Sequence, residues 1–244
     1  MEPKVTVSPN DEFAKLSWKE RICYGSGDLA QNLIFGTIGS MLLFYMTTVF
    51  GLSAAVGATI FLIVRCINVV WDPWVGTVVD KASFKNGKYK PFLLYFGIPL
   101  TIFSAMLFLP IPAIRGNVFY AFFSYLATAL IYSFVNIPYG ALNASLTRDS
   151  EEISTLTSVR MTEANIGNLL VYTFLPLFVQ LASPDKKLQD IGFFGIKLNL
   201  GNYASPDAAG AYFMVMSVYM VIGFLLLLCT YYGITERVLP TKEE

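Results

Sequence analysis

Hydrophobic residues along this chain are gathered into six long runs, separated by short polar segments. An α-helix needs roughly 20 predominantly apolar residues to cross the hydrocarbon core of a bilayer, and each run has about that length. Spanning β-strands would instead show segments of roughly 10 residues with alternating polarity, and the sequence has no such pattern. The sequence therefore predicts six transmembrane helices, over residues 29–50, 53–79, 92–112, 118–146, 164–181 and 211–234.

The composition agrees with this pattern. The 244-residue chain is 55% hydrophobic and 14% charged, whereas about 25% of an ordinary soluble domain is charged. Its formal net charge is zero, whereas proteins that bind nucleic acids usually carry an excess of positive charge. The chain contains no His and its three Cys match no metal spacing, so a His-based triad or metal site is excluded and we expect no cofactor. These features indicate a protein of the lipid bilayer and not an enzyme.

Basic residues are distributed unevenly between the predicted loops. Lys and Arg are frequent in the N-terminal tail, in the loops after the second and fourth spans, and in the C-terminal tail. Since cytoplasmic loops carry the excess of Lys and Arg, we expect a multi-pass protein of the cell membrane with both termini cytoplasmic. Residues 1–21 contain no hydrophobic core of a signal peptide. The external connection at 183–210 is expected to lie at the membrane surface.

The second predicted span carries charged and polar residues on one face. Arg65, Asn68 and Asp72 are spaced i, i+3 and i+7, so their side chains share one side of the helix. A charge within the membrane costs several kcal/mol and faces a protein interior or a water-filled cavity. The pattern fits a functional site in such a cavity, and it also fits an Arg–Asp network that ties helices together.

The fourth predicted span has a second polar stripe. Tyr132, Asn136, Tyr139 and Asn143 follow helical spacing, with Pro138 among them. Aromatic rings stack on the C–H faces of sugars and amides bond hydroxyl groups, so the stripe suits a neutral polyol. Polar side chains also join helices within membranes, and the pattern alone leaves both interpretations open.

Two further spans contain polar residues near their starts. The first has Asp28 and, one turn later, Asn32. The fifth begins with Arg160, which fits either a cavity wall or a side chain that extends to the membrane interface.

Several short motifs lie along the chain, at Tyr24-Gly-Ser-Gly-Asp-Leu-Ala, Asp72-Pro73, Gly76-x-x-x-Asp80-Lys81, Gly87-Lys-Tyr-Lys-Pro91 and Asn136-Ile-Pro-Tyr139. The motif between the second and third spans resembles the cytoplasmic signature of the major facilitator superfamily. Taken together, over about residues 17–237, the motifs resemble the glycoside–pentoside–hexuronide:cation symporter family within that superfamily.

The resemblance implies a specific architecture. Members have twelve helices in two six-helix halves related by an axis along the membrane normal. The expected fold class is therefore an all-α membrane protein that forms one half of a major facilitator fold, here the amino-terminal half. The implied domains are a cytoplasmic tail with a short interfacial helix at 1–21, a six-helix transmembrane domain at 22–235 and the start of a central cytoplasmic loop at 236–244. The expected partner is a second six-helix half or another copy of the chain.

The resemblance also implies roles for residues of the polar stripes. Substrate contacts are expected at Asn32, Tyr132, Asn136, Tyr139 and Arg160. Cation contacts are expected at Asn68, Asp72 and Ser133. Asp80 and Lys81 are expected to form a cytoplasmic gate.

Some residues depart from the family pattern, which changes the expected chemistry. Asn32 and Asn136 stand where the resemblance implies sugar-binding carboxylates, and Asn68 stands where it implies a cation-binding one. Sodium prefers several hard oxygen ligands, whereas a lone carboxylate carries a proton by changing its protonation state. With Asp72 as the single carboxylate of the implied cation site, we expect a proton in preference to sodium as the coupling cation.

The predicted function is thus symport of a sugar and a cation by one half of a transporter. The alternative is a membrane scaffold or sugar sensor that retains the fold without transport. A membrane enzyme, with Asp72 and Glu163 as acid and base, has little support, because the polar groups of the spans include no His and no nucleophile–base pair at a suggestive spacing.

Overall fold

The computed structural model describes residues 12–84, 87–184, 186–190 and 197–238. Six long helices account for most of this part of the chain. They are α1 Trp18–Val49, α2 Ala54–Lys81, α3 Lys90–Met106, α4 Val118–Leu146, α5 Ser150–Ala182 and α6 Ala209–Gly233. Five are long and apolar enough to span a bilayer, and the apolar α3 is shorter. The prediction of six helices is confirmed, five of them with the length and apolar character of a membrane span. The third predicted span, 92–112, forms a shorter helix that ends at Met106.

Two helices begin well before the predicted apolar runs. At the start of α1, Ser17 and Glu20 form a capping box, in which each side chain bonds the backbone of the other residue. At the start of α5, the Asp149 carboxylate accepts hydrogen bonds from the backbone N–H groups of Glu151 and Glu152. These caps supply partners for N–H groups that the helix leaves free. Both helices therefore carry polar first turns, which an analysis of hydrophobic runs does not include.

Three wide π-helical turns interrupt the long helices. They lie at Asn32–Gly36 and Tyr45–Val49 in α1 and at Leu170–Phe174 in α5. Such turns are rare and occur frequently at functional sites. The first of them contains Asn32, one of the predicted substrate contacts.

The helices pack in an order that differs from their order along the chain. α1 packs against α5 and α6. On the other side of α6 lies α3, which packs against α4, and α4 packs against α2. At the start of α1, Arg21 bonds both carboxylate oxygens of Glu152 on α5, and both side chains are largely buried. At the edge of the bundle, α2 exposes apolar residues such as Val69 and Val70. Its apolar side forms a groove of about 700 Å³.

The contact between α1 and α4 depends on a glycine. Tyr139 is 1% exposed, and a Cβ atom at Gly27 would lie 2.3 Å from its Cε2 atom. The Tyr139 hydroxyl donates to the backbone oxygen of Tyr24 at 2.8 Å, so the ring is held in place. The absence of a side chain at Gly27 allows the Tyr139 ring to lie against the backbone of α1.

Replacing Gly27 by Ala is therefore expected to lower the free energy of unfolding by about 1–3 kcal/mol, the usual cost of overpacking. The matched control is Gly39→Ala in the same helix, because a Cβ atom there would meet nothing within 4 Å. Ala is the better helix former, so this control should stabilise the protein by up to roughly 1 kcal/mol. Denaturation in mixed detergent micelles measures both changes, and equal effects of the two variants would contradict the packing described.

The connection at 183–210, which was predicted to be external, contains two short strands that the all-α expectation did not include. β1 Lys187–Asp190 pairs antiparallel with β2 Lys197–Leu200. After the strands, the backbone N–H of Gly201 donates to the Gln180 oxygen at the end of α5, which joins the connection to the bundle. Its predicted position at the membrane surface stays a prediction.

The predicted domain limits are not tested by the structure. Residues 1–11 and 239–244 lie outside the described residues, and residues 12–17 form a turn and a non-helical segment. The tail with its interfacial helix and the start of a central loop stay predictions.

Candidate functional site

Two of the predicted cation-site residues meet between α2 and α4. The Ser133 hydroxyl donates a hydrogen bond to Asp72 Oδ1 at 2.6 Å. Next to this contact, Trp71 Nε1 donates to the backbone oxygen of Leu130 at 3.0 Å, which fixes α2 against α4. Asp72 is exposed, whereas Ser133 is buried.

The third predicted cation residue lies one helical turn away. Asn68 shares the face of Asp72, and its Oδ1 atom is buried without a hydrogen-bond partner among the described residues. Because a buried acceptor normally has a partner, this oxygen is available to a donor or a cation. One carboxylate, one hydroxyl and one amide oxygen thus lie along the α2–α4 contact. These are hard oxygen ligands, and the carboxylate also has the chemistry to take up a proton.

Arg160 faces the interior of the bundle. Its Nε atom donates to Asp28 Oδ2 on α1, and its guanidinium lies 5.5 Å from the centre of the Tyr139 ring on α4. Arg160 therefore links three helices, which favours the cavity-wall interpretation over extension to the interface. Asp28, which we had not assigned a role, is the partner that compensates its charge.

Asn32 lies one turn above this ion pair. Its Nδ2 atom donates to the backbone oxygen of Asp28 at 2.9 Å, so the amide helps to bind together the wide turn of α1. A Cβ atom at Gly36 would lie 3.8 Å from Asn32 Oδ1 and 4.0 Å from Asn168 Oδ1 of α5, so both amides lie close to Gly36. The structure thus groups Asn32 with Asp28 and Arg160.

An aromatic wall forms between α1 and α4. Tyr132 stacks on Phe35 with ring centroids 3.9 Å apart and an angle of 9° between the rings. Both residues are partly exposed, so part of the stacked pair remains accessible. Tyr132 directly precedes Ser133 on α4, so the stacked pair lies next to a residue of the predicted cation site.

The remaining stripe residues of α4 have different environments. Asn136 is exposed, as a contact with a substrate requires. Tyr139 is buried between α1 and α4, and Asn143 donates from Nδ2 to Thr157 Oγ1 on α5 at 3.1 Å. Asn143 thus joins helices. The substrate roles of Asn136 and Tyr139 stay predictions, and the structure places the Tyr139 ring behind the Arg160 guanidinium.

The predicted gate residues lie at the end of α2. Asp80 and Lys81 are both exposed and make no ion pair within the described part of the chain. Their role depends on a partner surface, and it stays a prediction.

Comparison with known proteins adds to this geometry. Residues 23–244 match the family model described as MFS/sugar transport protein. The chain belongs to this family. The uncharacterized symporter YnaJ of Bacillus subtilis is 35% identical over 96% of this chain and 47% of its own length. The putative glycoside/cation symporter YagG of Escherichia coli is 35% identical over 78% of this chain and 41% of its own length.

A third relative has a named substrate. The isoprimeverose transporter of Lactiplantibacillus pentosus is 31% identical over 91% of this chain and 42% of its own length. The chain therefore spans about half the length of the curated relatives it matches. Membership in the family confirms the resemblance seen in the motifs, and with the helices it shows a multi-pass membrane protein with half of a major facilitator fold.

Proposed function

We propose that this chain forms one half of a twelve-helix transporter that carries a glycoside, pentoside or hexuronide together with a cation by alternating access. The observation that carries the proposal is the adjacency of two candidate sites on α4. Ser133 contacts Asp72, and the preceding residue, Tyr132, stacks on Phe35. A cation at Asp72 and a sugar at Tyr132 would act on the same helical turn, which supports coupling between them.

The second half of the transporter is the proposed partner. Arg65, Asp72 and Asn136 are exposed within membrane-length helices, and charged groups in contact with lipid are costly. A second six-helix half, or a second copy of the chain, would cover these residues and enclose the cavity. The chain spans about half the length of these relatives, which supports a second six-helix half as the complement of this bundle. In this arrangement both termini of the chain are cytoplasmic, in the cell membrane.

The substrate side of the cavity fits the hydroxyl groups of a sugar. Asn32 and Asn136 supply amides, and Tyr132 supplies a ring face and a hydroxyl. Arg160, already paired with Asp28, would add a further polar contact to the sugar. Names of relatives support the class, since they include a putative glycoside/cation symporter and an isoprimeverose transporter.

The coupling cation is proposed to be a proton in preference to sodium. Asp72 is the single carboxylate at the α2–α4 contact, and Asn68 and Ser133 add only neutral oxygens. Sodium would gain more from several charged or carbonyl ligands, whereas a proton needs one carboxylate whose protonation state changes. Asp80 and Lys81 would contact the second half when the cytoplasmic side closes.

The proposal is tested by uptake in cells that lack their own glycoside carriers. The chain is expressed alone or with the carboxyl-terminal half of YnaJ, and a panel of labelled glycosides, pentosides and hexuronides is supplied. We expect accumulation of at least one compound, and only when both halves are present. Absence of any uptake while the halves co-purify would contradict transport, and sugar binding by the chain alone would then favour a sensor.

A further inference from the structure

The segment that follows α6 lies across the end of the bundle where α1 begins. We call residues 234–238 the strap. Within it, Glu236 is 6% exposed, and its carboxylate accepts hydrogen bonds from three consecutive backbone N–H groups. Its donors are the N–H groups of Lys88, Tyr89 and Lys90, at 2.7, 3.0 and 2.8 Å. The carboxylate therefore occupies a cradle formed by the last loop residues before α3 and its first residue.

Two features of the loop before α3 match the position of this carboxylate. Gly87 has a φ angle of +118°, which side chains rarely adopt, and a Cβ atom there would lie 2.7 Å from Glu236 Oε1. On the other side, Lys90 Nζ donates to the Ile234 backbone oxygen at 2.8 Å. The free N–H groups at a helix start also favour a negative charge. The backbone, the glycine and the lysine thus all fit Glu236.

The strap also contacts two other helices. The Arg237 side chain pairs with Glu20 in the first turn of α1. The backbone N–H groups of Arg237 and Val238 both donate to the Ser145 oxygen near the end of α4, each at 2.9 Å. The strap therefore joins the ends of α1, α3 and α4 to the end of α6. Through Glu236 it also holds the loop between α2 and α3.

We propose that Glu236 is a positioning residue for the predicted cytoplasmic gate. The α2–α3 loop begins directly after Asp80 and Lys81, and its far end is fixed by the Glu236 carboxylate. When the carboxylate leaves the cradle, three N–H groups lose their acceptor and the loop is released from the strap. The gate role rests on the proposed transport function, whereas the positioning of the loop does not.

The loop contact is tested by amide hydrogen exchange on the full chain in lipid nanodiscs. In Glu236→Gln, peptides that contain Lys88, Tyr89 and Lys90 should exchange at least tenfold faster than in the unchanged protein. Peptides from the far ends of α5 and α6 should exchange as before. Unchanged exchange at the loop, or faster exchange throughout the chain with a lower Tm, would overturn the proposal.

Matched variants distinguish loss of the Glu236 hydrogen bonds from a general loosening of the strap, again by the exchange rate of the loop. Glu20→Gln removes the partner of Arg237 and leaves the cradle intact, so loop exchange should not change. Gly87→Ala should reproduce the Glu236→Gln effect, and the double variant should add little. Gly116→Ala controls for backbone strain, because its φ is +73° and a Cβ atom meets nothing within 4 Å. Additive effects of Gly87→Ala and Glu236→Gln would contradict a shared cradle.

The gate itself is tested with a cysteine at Ala82, the residue after Lys81. A membrane-impermeant maleimide should label Ala82→Cys several times faster when Glu236→Gln is also present, without a change in Tm. Equal labelling would overturn the positioning role at the gate. If the loop is released as expected but co-expressed halves never transport, the proposed function fails while the loop contact stands.

Discussion

Replacing Asp72 by Asn is expected to abolish accumulation of substrate against a gradient while sugar exchange across the membrane continues. The amide cannot take up a proton or neutralise a cation, so the cation gradient no longer drives the sugar. Its carbonyl oxygen still accepts the hydrogen bond from Ser133, so the α2–α4 contact survives. The measurement compares gradient-driven uptake with exchange of labelled for unlabelled sugar in cells that express both halves.

Two further variants define how specific this effect is. Ser133→Ala removes the hydrogen bond to Asp72 but keeps the carboxylate, so we expect weakened accumulation, by roughly tenfold, and not its loss. Asp207→Asn is the control, since this exposed carboxylate lies in the external connection far from α2 along the chain. Undiminished accumulation by Asp72→Asn would remove Asp72 from the coupling mechanism.

Replacing Tyr132 by Ala is expected to weaken sugar binding by at least tenfold, which corresponds to about 1.4 kcal/mol. The change removes one ring of the stacked pair together with its hydroxyl group. Sugar binding then loses both a flat apolar surface and a polar contact. Equilibrium binding of a labelled glycoside to the purified complex of both halves measures the change.

The control for Tyr132 is a tyrosine of another helix. Tyr172 of α5 is 61% exposed and belongs to neither candidate site, so Tyr172→Ala should leave sugar affinity unchanged. Phe35→Leu should show an intermediate loss, because it keeps an apolar contact but removes the stacked partner. Equal affinity of the Tyr132→Ala variant and the unchanged protein would show that sugar binds elsewhere.

Much of the fold follows from local patterns in the sequence. The apolar runs predict the six membrane helices because the bilayer imposes a length on each. The helical spacing of Arg65, Asn68 and Asp72 predicts a common face. The contact between Asp72 and Ser133 joins residues that are 61 positions apart, and it was expected only from the resemblance to a symporter family.

Other parts of the site depend on how one helix is aligned with another. Arg160 pairs with Asp28 only because α5 and α1 are aligned so that the two residues lie at the same level. The spacing of residues within either helix does not predict this alignment. Phe35 looked like an ordinary membrane residue, and its stack on Tyr132 depends on the wide turn of α1. Glu236 appeared as one charge in a polar tail, and its cradle lies 146 to 148 residues earlier in the chain.

The central claim is that the Asp72–Ser133 contact and the adjacent aromatic wall couple a cation to a sugar. The most direct test measures pH and sugar together in proteoliposomes that contain this chain and its complementary half. Adding the transported sugar outside, with sodium absent, should raise the external pH as protons enter with it, and Asp72→Asn should abolish the pH change. Sugar uptake that depends on sodium, with no accompanying proton movement, would contradict the proposed proton coupling.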